Sequence, residues 1–218
     1  MNTNSTVMTI LCYGDSNTWG RVPGQSGVRY SADVRWTGVL QSKLGDTYAV
    51  IEEGLCSRST TLDDPDRIGK NGETYLVPCL QTHNPVDIII LMLGTNDLKE
   101  KFHRTPEQIA YGVEKLVQII EQYAWNSLKK PPQIVLISPL HVDELVPTTK
   151  KYYRGAEATS KELAEQYRTV ADKYSCSFVD IAQHVRASQV DGYHLDPESH
   201  VVIAEVLEHV IRSVTPNL

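Results

Sequence analysis

The chain has 218 residues, 41% of them hydrophobic and 22% charged, with a formal net charge of -6. That length suits one well-packed domain and is short for two, so residues 1–218 are read as a single domain. The acidic balance without any Lys/Arg block argues against a nucleic-acid partner, and no apolar run reaches membrane-spanning length, so no membrane association is expected.

In chain order, the polar Met1–Thr6 opening precedes an apolar stretch too short for a secretory signal, which makes the cytoplasm the expected location. Val7–Cys12 reads as a strand ending in a tight turn at Gly14. Asp33–Leu44 carries Val34, Leu40 and Leu44 at helical spacing, and Tyr48–Ile51 reads as a second strand. Asp87–Leu93 is almost wholly apolar, as a strand covered on both faces requires. Thr105-Pro106-Glu107-Gln108 announces a helix with a capping box, and Ile109, Val113, Leu116, Val117 and Ile120 give it one apolar face. Ile134–Ile137 is a further strand, Gly155–Tyr174 a helix, and Ser177–Val179 the last strand. Asp196 with Pro197 opens the final helix, for which Val202, Val206, Leu207 and Val210 supply the buried face. Strands alternating with helices predict an α/β fold: a three-layer α/β/α sandwich around a five-stranded, parallel, doubly wound sheet.

In such a sheet ligands collect beyond the carboxyl ends of the strands. Ser16 follows the first strand, Asn96 follows the Asp87–Leu93 strand, and Asp191 and His194 stand close together before the last helix. A serine beside Gly14 and Asp15 is by itself more often a turn or a cap. With a histidine to take its proton and a carboxylate three residues away to orient that histidine, it becomes a candidate nucleophile. Cys12, Cys56, Cys79 and Cys176 lack paired spacings and are expected to be unpaired structural thiols. His83, His103, His141, His184, His200 and His209 show no compact zinc-ligand pattern, and Asp63-Asp64-Pro65-Asp66 reads as an acidic turn rather than a calcium loop. No metal is therefore expected.

The segments Gly14-Asp15-Ser16-Asn17-Thr18-Trp19-Gly20, Gly54-Leu55-Cys56-Ser57-Arg58-Ser59-Thr60, Gly94-Thr95-Asn96-Asp97 and Asp191-Gly192-Tyr193-His194 occur in this order over almost the whole chain. Together they resemble the SGNH, or GDSL-type, serine hydrolases. Asp33–Leu40, Ile51–Leu55 and Phe102–Pro106 resemble its bacterial arylesterase/acyltransferase subgroup. The resemblance implies Ser16 as nucleophile, His194 as general base and then acid, and Asp191 as its orienting carboxylate. It implies an oxyanion hole from the backbone N–H groups of Ser16 and Ser57 and the side-chain amide of Asn96. Ser57 departs from the family's usual glycine, and Asn17 from the leucine of the GDSL label.

The chemistry implied is hydrolysis of short-chain carboxylic esters, aryl and acetyl esters among them, through an acyl-enzyme, without metal or organic cofactor. Water is the default acceptor, and an alcohol acceptor would make the outcome acyl transfer. An acetyl-carbohydrate esterase or acyl-thioester hydrolase uses the same triad, and a catalytically silent interaction domain on this fold is the reading from another class. Trp19, near Ser16, either lines the substrate pocket or fills a loop core. Lys99–His103 is expected near the entrance, and Val142, Leu145, Val146, Tyr152 and Tyr153 in the connection after the fourth strand to line a cleft or an oligomer contact. The resemblance also implies a homo-oligomer, with an octamer as one such assembly.

Overall fold

Alternation along the strands divides the apolar side chains into two sets, and each set fixes one helical layer. Ile10, Cys12, Ile88, Ile90, Met92, Val135, Ile137 and Val179 face one way, while Leu11, Tyr13, Ile89, Leu91, Leu93 and Leu136 face the other. These strands have no solvated face, which is why they read as near-continuous apolar runs. The computed structural model describes residues 7–126 and 128–215; the Met1–Thr6 opening discussed above lies outside them.

The strands are β1 (Met8–Gly14), β2 (Tyr48–Gly54), β3 (Ile88–Met92), β4 (Gln133–Ser138) and β5 (Ser177–Asp180). They form one five-stranded sheet, all parallel, in the order β2-β1-β3-β4-β5. The helices are α1 (Ser16–Trp19), α2 (Trp36–Leu44), α3 (Gly72–His83), α4 (Pro106–Tyr123), α5 (Ala156–Lys173) and α6 (Pro197–Val214). Helices α2 and α6 cover the Ile10 face through Trp36, Leu40, Ile203, Leu207 and Ile211. On the Leu11 face lie α3, α4 and α5, which bury Leu80, Val113, Leu116, Leu163 and Tyr167. Each such aliphatic side chain contributes roughly 1.5–3 kcal/mol on burial. The fold is therefore a three-layer α/β/α sandwich.

The capping box on α4 is present: Thr105 accepts from the Gln108 N–H, and Gln108 reaches back to the Thr105 N–H. Other elements differ from the sequence expectation. Helix α2 begins at Trp36 rather than Asp33, because Arg35 is held in extended backbone and its guanidinium is drawn to Glu52 at 2.6 Å. The α2 N-terminal amide of Trp36 instead donates to Nδ1 of His200 on α6 at 3.2 Å. Asp196 occupies the N-cap of α6 but makes no side-chain capping bond. The buried centre of that helix is Ile203, Ala204, Leu207 and Ile211, with Val202, Val206 and Val210 half-buried beside it. The local sequence pattern does not predict helix α3. Asn71 caps it by accepting from Glu73 and Thr74, and Leu76, Cys79 and Leu80 are buried. Pro78 inside it disguises the pattern.

Register does the remaining positioning. Gly14 pairs with Gly54 on one side and with Met92 on the other, so β1, β2 and β3 end in one row. Helix α1 packs directly on Gly54, where an added Cβ would stand 2.2 Å from the Trp19 backbone nitrogen and 2.6 Å from the Thr18 carbonyl carbon. Gly54→Ala should therefore push α1 off the strand end and lower stability by about 1–3 kcal/mol. The measurement is a reduced urea midpoint at unchanged slope; an unchanged midpoint would refute the close packing.

Candidate active site

Three loops leave the aligned ends of β1, β2 and β3, at the switch point where the chain first winds outward to β2 and then returns across to β3. On the first loop Asp15 caps α1, its Oδ1 accepting from the Asn17 N–H at 2.9 Å, which leaves Ser16 as the first helical residue. Gly14 allows this tight exit, since a Cβ there would stand 2.9 Å from the Met92 carbonyl oxygen and 2.0 Å from the Thr18 hydroxyl.

The segment before α6 comes over the same strand ends. His194 Nε2 lies 2.9 Å from Ser16 Oγ, and His194 Nδ1 lies 2.7 Å from Asp191 Oδ2. All three residues are buried. The second Asp191 oxygen accepts from the His194 N–H at 3.1 Å and the Tyr193 N–H at 3.3 Å, while Oδ2 also accepts from Gly24 at 2.9 Å. Burial would raise the Asp191 carboxyl, but the hydrogen bond and charge of His194, with the Gly24 and His194 N–H groups, outweigh it and hold it below its ordinary value. The segment is pinned by Thr149, whose hydroxyl donates to the Asp191 carbonyl at 2.7 Å, and by the Tyr193 ring packed 4.4 Å from the imidazole. Asn17 adds a direct tie, Nδ2 donating to the Tyr193 carbonyl at 3.1 Å. The residue that departs from the GDSL label thus joins the serine helix to the histidine loop.

The other loops bring Ser57 and Asn96 to the same row of strand ends. Ser57 has φ +68°, a left-handed conformation that favours glycine. Its hydroxyl accepts from Arg67 Nη1. Among the described residues the backbone N–H groups of Ser16 and Ser57 have no hydrogen-bond partner. The Asn96 amide nitrogen stands 3.1 Å from the Arg58 carbonyl and 3.3 Å from Asp15 Oδ2. Trp19 closes α1, half-buried, with the Arg29 guanidinium 5.2 Å from its ring centroid.

Further residues hold this arrangement, and of these Asp97 carries no site role in the sequence reading. Asp97, fully buried, accepts from the Thr60 N–H at 3.0 Å and from its hydroxyl, tying the Ser57 loop to the Asn96 loop. Its place beside Asn96 was the available signal. Arg58, buried, donates to the carbonyls of Gly14 and Glu53 and lies 4.1 Å over the Tyr13 ring, joining the ends of β1 and β2. Lys99 is buried near Asp15, and burial, then Arg67, lower its ammonium to about 8. Lys101 bonds Asp64 and Asp66, so the acidic turn is partnered by the charged segment expected near the entrance. Of the connection after β4, Val142, Val146 and Tyr153 are core residues, while Leu145 and Tyr152 are exposed. All four cysteines are unpaired. Two surface concavities, one between α5 and α6 along β5 and one around His141 and Arg186, contain none of the Ser16 constellation.

Comparison with known proteins shows the family. The family described as GDSL-like Lipase/Acylhydrolase matches residues 12–202. Among solved structures, a carbohydrate acetylesterase from Sinorhizobium meliloti is 36% identical with a TM-score of 0.89, over 95% of this chain and 99% of that one. An aryl esterase from M. smegmatis is 38% identical with a TM-score of 0.88, over 95% and 99% of the respective chains. A G-D-S-L lipolytic protein from Veillonella parvula, 17% identical with a TM-score of 0.68 over 97% and 100%, shares the fold. No curated protein sequence matches.

The buried carboxylate behind the strand ends makes stability depend on pH. Burial lifts Asp97 from 3.8 to about 6, against the opposing Thr60 hydrogen bonds and with a further push from Asp15. For a carboxyl raised in the folded state, the stability it contributes is fully present below its unfolded value and is lost as pH rises through the folded one. Relative to Asp97→Asn, the native protein should lose on the order of 2–3 kcal/mol between pH 4 and pH 7. Urea melts of both proteins across that range supply the check, and a pH-independent difference would contradict it.

Proposed function

Since the chain belongs to the GDSL-like lipase/acylhydrolase family and is a carboxylic ester hydrolase, we propose that Ser16, His194 and Asp191 are its catalytic triad and that its substrates are short-chain esters. The carrying observation is the continuous chain from Asp191 Oδ2 through both imidazole nitrogens to Ser16 Oγ, with links of 2.7 and 2.9 Å. A serine hydroxyl needs a base within hydrogen-bond reach and a base held in one tautomer, and this chain supplies both.

In this reading Ser16 Oγ bonds to the ester carbonyl carbon as its proton passes to His194 Nε2. The carbonyl oxygen becomes an oxyanion, stabilised by the Ser16 and Ser57 N–H groups and the Asn96 amide. For Asn96 to contribute, its 3.3 Å contact with Asp15 yields to the oxyanion while the 3.1 Å bond to the Arg58 carbonyl holds the side chain in place. Collapse of the intermediate breaks the bond to the leaving alcohol or phenol, which takes the proton from His194. Water then loses a proton to His194 and attacks the acyl carbon; the Ser16 Oγ–carbon bond breaks, Oγ takes the proton back from His194, and the acid is released. An alcohol in place of water gives a new ester, so acyl transfer needs no further residue. Asp191 stays ionised throughout and stabilises the imidazolium. Trp19, closing the helix that Ser16 opens, is assigned to substrate contact.

Aryl and acetyl esters are the favoured substrates because the relatives at 36–38% identity are an aryl esterase and a carbohydrate acetylesterase. The second relative supports acetylated carbohydrate as the competing class. A mixed panel of aryl acetate and acetylated sugar, with an added alcohol and all products quantified, separates hydrolysis from transfer and one class from the other.

After reaction with an activated short-chain ester, mass spectrometry should place the acyl group on Ser16. Acylation elsewhere that persists in Ser16→Ala would overturn the nucleophile. Ser16→Ala should lower kcat by about four orders of magnitude or more. Asn96→Ala should cost roughly 100- to 1,000-fold in kcat with little change in KM; an equal rise in KM instead would assign Asn96 to ground-state binding.

A further inference from the structure

A second cluster of chemistry-bearing side chains sits at the β2 edge of the sheet, sharing no residue with the Ser16 constellation. Glu53 is next to last in β2, and Cys79 and His83 lie four residues apart on α3, so both emerge from one face of that helix. A carboxylate oxygen of Glu53, Cys79 Sγ and a ring nitrogen of His83 all lie within 4.8 Å of one another. Glu53 Oε1 is 2.8 Å from His83 Nε2. The thiol is buried, whereas the side chains of Glu53 and His83 keep 18% and 22% of their exposure, which leaves the cluster a route to solvent.

We propose that Glu53, Cys79 and His83 bind a divalent transition-metal ion of the zinc type, with water completing four-coordination. The donor set decides the class of ion. Thiolate, imidazole and carboxylate are the ligands that zinc takes, whereas magnesium and calcium require shells of oxygen. A salt bridge alone needs only the carboxylate and the imidazole; the thiol one helical turn before the histidine, converging on the same carboxylate, is the third ligand. With bonds of about 2.0–2.3 Å, tetrahedral ligand atoms stand roughly 3.3–3.7 Å apart. The Glu53–His83 pair therefore opens slightly and the cluster otherwise contracts, with movements on the order of 1 Å.

Charge balance sets the terms of binding. The hydrated ion displaces the Cys79 thiol proton, which leaves to solvent; a sulfur–metal bond forms, and no atom changes oxidation state. Thiolate and carboxylate then cancel the two charges of the ion and leave the centre neutral. Histidine spacing alone concealed this group, because one ligand comes from a strand and two from a helix interrupted by Pro78.

Cobalt(II) titration of the full-length, metal-stripped protein tests the site, since a cobalt thiolate absorbs by charge transfer in the near ultraviolet. One equivalent should produce that band, and zinc should abolish it. Cys79→Ser and His83→Gln should each weaken cobalt binding by about 100-fold or more, a loss larger than that of a supporting group around a metal, while Cys56→Ser keeps the band. His83 is half-exposed at the end of α3, so His83→Gln should retain the fold and its ester hydrolysis without metal, and its loss of binding reports the ligand alone. Absence of the band at one equivalent, or its survival in both Cys79→Ser and His83→Gln, overturns the site.

Discussion

The pairing of Gly14 with Gly54 and with Met92 is the constraint from which the site follows. Parallel strands in that register end together, so loops from three strands are released side by side into one small volume. The glycines matter for what they lack. A Cβ at either would collide with the turn that carries Ser16, so the serine helix can sit directly on the strand ends. Each partner then needs only a short reach. Ser57 comes three residues after β2 and Asn96 four after β3, while the histidine loop is drawn in from the far end of the chain.

Placing loops so tightly brings charge out of water. Asp15, Arg58, Asp97 and Lys99 are all buried beneath or beside the serine. Isolated ions in such a place would be prohibitive, and the two carboxylates and the guanidinium are instead hydrogen-bonded to neighbouring groups. Arg58 donates to the carbonyls of Gly14 and Glu53; Asp15 accepts from the Asn17 N–H and the Asn96 amide; Asp97 accepts from Thr60. The Asp15–Asn96 and Thr60–Asp97 contacts join loops that the sheet's hydrogen bonds do not join, and Arg58 reinforces the paired ends of β1 and β2. Buried charges of this kind add little net stability even when paired, and what these contacts supply is a fixed relation between loops.

The apolar strands were legible because burial on two faces leaves no polar alternation to confuse, and α4 because its capping residues are local. Helix α3 was not, since Pro78 interrupts its pattern and its buried side chains answer to a sheet that the local sequence does not reveal. Val34 keeps helical spacing through Asp33–Arg35, whereas the pull of Glu52 on Arg35, which delays the helix, lies across the sheet edge. At the site, Ser16, Asn96, Asp191 and His194 could be singled out because side-chain chemistry demands those residue types. Asn17 and Arg58 donate to backbone carbonyls distant in sequence, and Gly24 gives its own backbone N–H to the Asp191 carboxylate; nothing in the residue types announces these partners.

Ser57 shows how such a site tolerates an unusual residue. At φ +68° a side chain costs on the order of 1–2 kcal/mol that glycine avoids. Here the hydroxyl accepts from Arg67, and the Arg58 N–H that follows closes a turn on the Leu55 carbonyl at 3.0 Å. The strained backbone is therefore held from both sides. Glycine would relieve the strain but would also restore freedom to the peptide whose N–H is proposed to meet the oxyanion. In the proposed role, serine at this position exchanges a little local stability for a donor fixed in direction, and a fixed dipole is what lowers a charged transition state without reorganisation.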